Sequence, residues 1–102
     1  MRTMLRITMP VETANKAIKD GSLARTFETM TAELNPEASY FYPENGRRAA
    51  IFVFDMTDSS QIPSVAEPFF LNLDATVELY PVMNADDLKK GLEKAMKSAA
   101  VQ

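Results

Sequence analysis

Two alternating runs near opposite ends of the chain each hold one charged side chain: Arg6 within Met4–Met9, and Glu78 within Ala75–Val82. A guanidinium fork suits a carboxylate or another oxyanion, and a carboxylate beside it can accept or orient a proton. If the two runs are antiparallel neighbours, Arg6 and Glu78 lie opposite or diagonal to each other across the pair. That geometry equally makes a structural ion pair that fixes register at a buried surface, and this is the preferred reading. Alternation adds Thr8, Tyr40, Tyr42 and Tyr80 to the same surface, so the candidate ligand-binding set is Arg6, Thr8, Tyr40, Tyr42, Glu78 and Tyr80. Each tyrosine offers an apolar body and one polar handle, as in a pocket wall or, more often, an interface. No residue is assigned a catalytic role.

The residue types that are missing narrow the chemistry. Without Cys or His in 102 residues, there is no disulfide, thiolate nucleophile, Cys-ligated zinc or imidazole base. No cofactor or metal is expected. Asp55 and Asp58 sit close in sequence, but acids near a helix start commonly cap it, and hard-metal sites need several converging oxygens. Gly21 and Gly91 make no phosphate loop, and the seven methionines suit adaptable packing. Net charge is −3, and the densest lysine cluster (Lys89, Lys90, Lys94, Lys97) alternates with Asp86, Asp87 and Glu93 as on a solvated helix face. Nucleic-acid binding, which needs a basic stripe, is therefore not expected. No apolar run reaches membrane-span length and no signal-peptide core follows Met1, so a cytoplasmic location is the expectation.

The elements that must position these residues follow from periodicity. Met4–Met9 alternates as a strand, with Leu5, Ile7 and Met9 on one face, and stops at Pro10. Val11–Leu34 reads as one helix interrupted near Asp20–Ser22, or two meeting there. Ala14, Ala17 and Ile18 form a first apolar stripe, and Leu23, Phe27, Met30 and Leu34 a second. Asn35-Pro36 ends the helix. Ala38–Pro43 and Arg48–Met56 are strands joined through Asn45-Gly46, a strong hairpin signal because both residues tolerate positive φ. Arg47 and Arg48 are expected to point into solvent. The centre of the second hairpin strand, from Ala49 to Phe54, is apolar on both faces, which places it inside a sheet covered on both sides. Asp58 and Gln61 have capping-box spacing ahead of a helix over Ser59–Leu73 that should bury Val65, Ala66, Phe69, Phe70 and Leu73. Pro63 and Pro68 make this helix short, bent or partly 3-10. Ala75–Val82 is the fourth strand. Asn84 caps a last helix over about residues 85–99, striped with Leu88, Leu92, Ala95, Met96 and Ala99.

The order β-α-β-β-α-β plus a terminal helix predicts one α+β domain over residues 1–102, with its core at about residues 4–83. This is a ferredoxin-like sandwich in which a four-stranded antiparallel sheet carries helices on one face. With Leu5, Ile7, Phe41, Val77 and Leu79 turned to the helices, the other face carries the candidate set together with either Phe52 and Phe54 or Ile51 and Val53. A face that apolar calls for a cover. Phe52 and Phe54 are accordingly core residues or candidate dimer-interface residues.

In element order over Met4–Val82, and in the segments Ile62-Pro63-Ser64-Val65-Ala66-Glu67-Pro68-Phe69-Phe70 and Val77-Glu78-Leu79-Tyr80-Pro81-Val82-Met83, the chain resembles the dimeric α+β-barrel group. The likeness is to small uncharacterised muconolactone-isomerase-like bacterial proteins. The resemblance implies a homodimer that stacks its open sheet faces, and no activity. The His- and Trp-dependent chemistry of that group's monooxygenases and haem-degrading members has no counterpart here, because both residue types are absent. The preferred expectation is a small homodimer holding a small apolar or weakly acidic molecule beside the sheet. The alternatives are a cofactor-independent isomerase, lyase or oxygenase using Arg6 and Glu78 or a tyrosine, and a partner-binding module using the last helix.

Overall fold

Alternation and helical periodicity are converted directly into elements in the computed structural model, which describes residues 1–100. Strand β1 (Arg2–Thr8) leads into helices α1 (Val11–Asp20) and α2 (Ser22–Leu34). The break between them is Gly21, whose φ of 83° lies in the left-handed region that glycine occupies without penalty. Asp20 Oδ1 accepts the backbone N–H of Ser22 at 2.8 Å, so the second helix restarts at once. Strands β2 (Ala38–Glu44) and β3 (Arg47–Asp55) form a hairpin. Asn45 and Gly46 both have positive φ, as a two-residue turn with this strand twist requires. A 3-10 turn (Ser59–Gln61) runs into α3 (Ile62–Leu73), which keeps Pro68 inside it. Gln61 Oε1 accepts backbone N–H groups from Thr57 and Asp58 and so steadies the entry. Strand β4 (Thr76–Pro81) and helix α4 (Ala85–Ala100) follow.

The described residues form an α+β fold with a four-stranded antiparallel sheet in the order β2-β3-β1-β4 and four α-helices. Because β3 is antiparallel to both β1 and β2, β1 and β2 run parallel with β3 between them. By the same reasoning β3 and β4 run parallel with β1 between them.

Register assigns the faces. Leu5 pairs with Phe52 and Leu79, Ile7 with Ala50 and Val77, and Phe41 with Ala50. These residues turn toward α1, α2 and α3, and all but Phe41, which stays 62% exposed at the sheet edge, meet Ala14, Ala17, Met30, Val65, Phe69 and Leu73 in one core. At its centre Phe52 lies 6.2 Å from Phe69 and 5.9 Å from Phe41 between ring centroids, and Phe27 contacts all three rings. Edge-on and tilted contacts of this kind add to the burial energy.

Several expectations change. Phe52 and Phe54 are 0% and 2% exposed beneath the helices, so they are core residues and do not reach an interface through the open face. The physical reason is the pairing of Phe52 with Leu5, which commits that parity of β3 to the helix side, so Ile51 and Val53 take the other. Ile18 and Phe70, expected within helix stripes, are nearly half exposed. The last helix departs furthest. Every residue from Ala85 to Ala99 is exposed, and α4 extends away from the body. The radius of gyration is 16.9 Å and the longest dimension 59 Å, against 28 and 19 Å for the other two. A compact chain of this length has a radius of gyration of about 13 Å.

Candidate functional site

The open sheet face is built from alternate residues of all four strands. On β1 these are Met4, Arg6 and Thr8. Arg6 pairs with Ile51 on one side and Glu78 on the other, Met4 with Val53 and Tyr80, and Thr8 with Ala49 and Thr76. On β2, Tyr40 lies opposite Ile51 and Tyr42 opposite Ala49. The structure therefore brings Arg6, Thr8, Tyr40, Tyr42, Glu78 and Tyr80 onto one surface. They do not all converge. Tyr40, 66% exposed, stands at the sheet edge, and Thr8 ends its row between Ala49 and Thr76.

A charged network runs through the middle of this surface. Arg6 Nη2 donates to Glu44 Oε2 at 2.5 Å, and Arg6 Nε lies 3.5 Å from Glu78 Oε1. Tyr42 donates its hydroxyl to Glu44 Oε1 at 3.0 Å, and Tyr80 donates its hydroxyl to Glu78 Oε2. Arg6 reaches Glu44 across β3 on the side of the small Ala49, which is itself buried. The two carboxylates outnumber the one guanidinium. Partial burial works against the charge on Arg6, and the attraction of Glu44 and Glu78 outweighs it, so its pKa is raised. Arg6 Nε is nonetheless buried without a hydrogen-bond partner.

Two of the phenols, Tyr42 and Tyr80, are held in their protonated form. Burial, and then the hydrogen bond to Glu44, raises the Tyr42 pKa above the ordinary phenol value. The bond to Glu78, followed by burial, does the same for Tyr80. Phenols that keep their protons are hydrogen-bond donors rather than bases. Arg6, already engaged by two carboxylates, is poorly placed to take a further oxyanion. The arrangement is that of a cross-strand clamp tying β2, β1 and β4 together over β3.

Glu44 is the member that sequence reasoning missed. Its signal was present, since the alternation of Tyr40 and Tyr42 carries on to Glu44, but its place beside Asn45-Gly46 made it look like part of the turn. A second cluster also escaped notice. Arg2 Nε donates to Glu37 Oε1 at 2.6 Å and Arg2 Nη1 to Asp87 Oδ2 at 2.8 Å, which ties the first turn of α4 to the end of β1. Asn84 Oδ1 and the Asp87 N–H, with Asp87 Oδ2 and the Asn84 N–H, close a reciprocal cap on the same helix.

The remaining candidates are accounted for locally. Asp55 accepts from the N-terminal amine at 2.6 Å, and Asp58 from Ser60 Oγ at 2.5 Å. Among the described residues, no three His, Cys, Asp or Glu side chains gather as metal ligands. No helix among them is long and apolar enough to cross a membrane. Compared with known proteins, the chain matches no family model and no curated protein.

Proposed function

We propose that the working unit is a homodimer of ferredoxin-like protomers, which stack their open sheet faces and clasp one another with α4. On this reading it is a binding and scaffolding protein rather than a catalyst. The observation that carries the reading is α4, whose stripe of Leu88, Leu92 and Met96 is exposed along its whole length. An isolated helix of this size is marginal in water and gains its stability from packing an apolar face. A second copy is the occupant that fits. Strand order read from β4, 4-1-3-2, contains two split βαβ units, the arrangement expected of a ferredoxin-like protomer. It agrees with the resemblance to the dimeric α+β-barrel group.

Area supports the clasp. Four strands of five or so residues cover roughly 300–400 Å², so stacked sheets alone bury about 700 Å². Stable interfaces bury roughly 1,200–2,000 Å². A 16-residue helix is about 24 Å long, and two such arms with the surface beneath them bring the total to roughly 1,600 Å². Arg2 and Asp87 anchor α4 at the end of β1, so the arm leaves the body beside the face it would help to cover. The Tyr42 and Tyr80 phenols that hold their protons, and an Arg6 whose charge is already engaged by Glu44 and Glu78, favour this reading over an enzyme using Arg6 and Glu78.

Ile51→Arg places a charge at the centre of the open face without entering the core. In sedimentation velocity at tens of micromolar the parent chain should run as a dimer and the variant as a monomer. A variant that sediments as the parent does would remove the sheet face from the interface.

A further inference from the structure

Toward the helix side of the sheet, within a single protomer, the start of α2 and the hairpin end of β2 and β3, Tyr42 and Ala49 included, border a half-open cleft of about 370 Å³. Met9, Leu23, Phe27, Phe41 and Pro43 form its walls, and Arg48 stands at its rim. The volume is within the range of small-molecule sites, which are mostly apolar with a few placed polar groups. Phe27 and Phe41 meet edge to face at 5.4 Å and 90°, so the cleft presents both a ring face and a ring edge. Phe41 remains 62% exposed. A large aromatic side chain left this open at the mouth of an apolar cleft is a surface on which a flat guest gains contact.

Arg48 supplies the polar element. Its Nη1 donates to Asn15 Oδ1 at 2.8 Å, which aims the guanidinium from the α1 side. Among the described residues it pairs with no carboxylate, unlike Arg2 and Arg6. A guanidinium carries five N–H donors, and one is spent on Asn15. The rest are free for the two-pronged recognition of a carboxylate.

We infer that this cleft binds a small aromatic carboxylate, its rings against Phe27 and Phe41 and its carboxylate on Arg48. The site lies within one protomer and does not depend on the dimer. Its test is a titration of the isotope-labelled full chain with 2-naphthoate and, separately, with uncharged 2-naphthamide, followed by amide NMR. Shifts should concentrate at Leu23, Phe27, Phe41 and Arg48, with naphthoate binding at least about tenfold more tightly than the amide. Arg48→Gln should bring naphthoate down to the level of the amide, while unchanged amide binding shows that the cleft is intact. If Arg48→Gln does not fold, the comparison of the two compounds on the parent chain decides the matter alone.

Equal affinity for the two compounds would overturn the inference. So would the absence of shifts at millimolar naphthoate, or shifts centred on Met4, Ile51 and Val53. The Ile51→Arg chain should bind naphthoate as the parent does. Loss of binding there would refute a site contained in one protomer, whichever way the dimer question falls.

Discussion

Leu92→Ala separates the stability of the protomer from the strength of its association. Leu92 is 55% exposed on a helix that touches little of its own body, so truncating it should leave protomer folding within about 0.5 kcal/mol of the parent. In the dimer proposed above the remaining half of the side chain is covered. Full burial of a leucine is worth roughly 1.5–3 kcal/mol, so covering half is worth about 1 kcal/mol. A twofold dimer contains the residue twice, and the variant should therefore lose about 2 kcal/mol of association, close to a thirtyfold rise in dissociation constant. Sedimentation equilibrium over a range of loading concentrations reads the constant directly, and urea unfolding at a concentration where both chains are monomeric reads the protomer. An unchanged dissociation constant would remove α4 from the interface. A large loss of protomer stability would mean that Leu92 packs within its own chain.

Other consequences are separately measurable. Phe52→Ala, at the centre of four rings and with no exposed surface, should cost about 3–5 kcal/mol in urea unfolding; a cost under about 1 kcal/mol would mean that the aromatic core is misassigned. Spectrophotometric titration should show the Tyr42 and Tyr80 phenols ionising above the ordinary tyrosine range, and Glu78→Gln should bring Tyr80 back toward it. A pKa raised in the folded state means that folding tightens the hold on that proton. The stabilisation from Tyr42 and Tyr80 is thus complete below about pH 10 and is lost as pH climbs through the raised values. Thermal stability unchanged across that alkaline window would count against the clamp. Gly46→Ala forces a Cβ into a φ of 77° and should cost about 1 kcal/mol in the same unfolding assay, through strain alone, since nothing lies near enough to clash.

Most of the sheet could be read from the chain because its signals are local. Alternation in β1 and β4 fixes which residues share a face, and Asn45-Gly46 fixes the hairpin, so the sequence pattern alone groups Arg6, Glu78 and the three tyrosines. The parity of β3 could not. Ala49 to Phe54 is apolar on both sides, and periodicity carries no information when both faces are apolar. Only pairing with β1, whose faces differ, assigned Phe52 and Phe54 to the core. Glu44 was hidden by the turn beside it. The reach of Arg6 to Glu44 depends on the small size of Ala49 on the strand between them, a long-range condition that no window of sequence reports. For α4 the stripe was visible, but an amphipathic pattern says only that one face wants cover. It does not say whether the same chain provides it, and here it does not.

Light scattering of the full chain, diluted from tens of micromolar to well below one micromolar, bears most directly on the claim that two copies cover what one leaves bare. A mass of two chains is expected at the upper end, falling toward one as dilution overcomes the constant. A single-chain mass throughout, with Leu88, Leu92, Met96 and the open sheet face remaining in solvent, would contradict it.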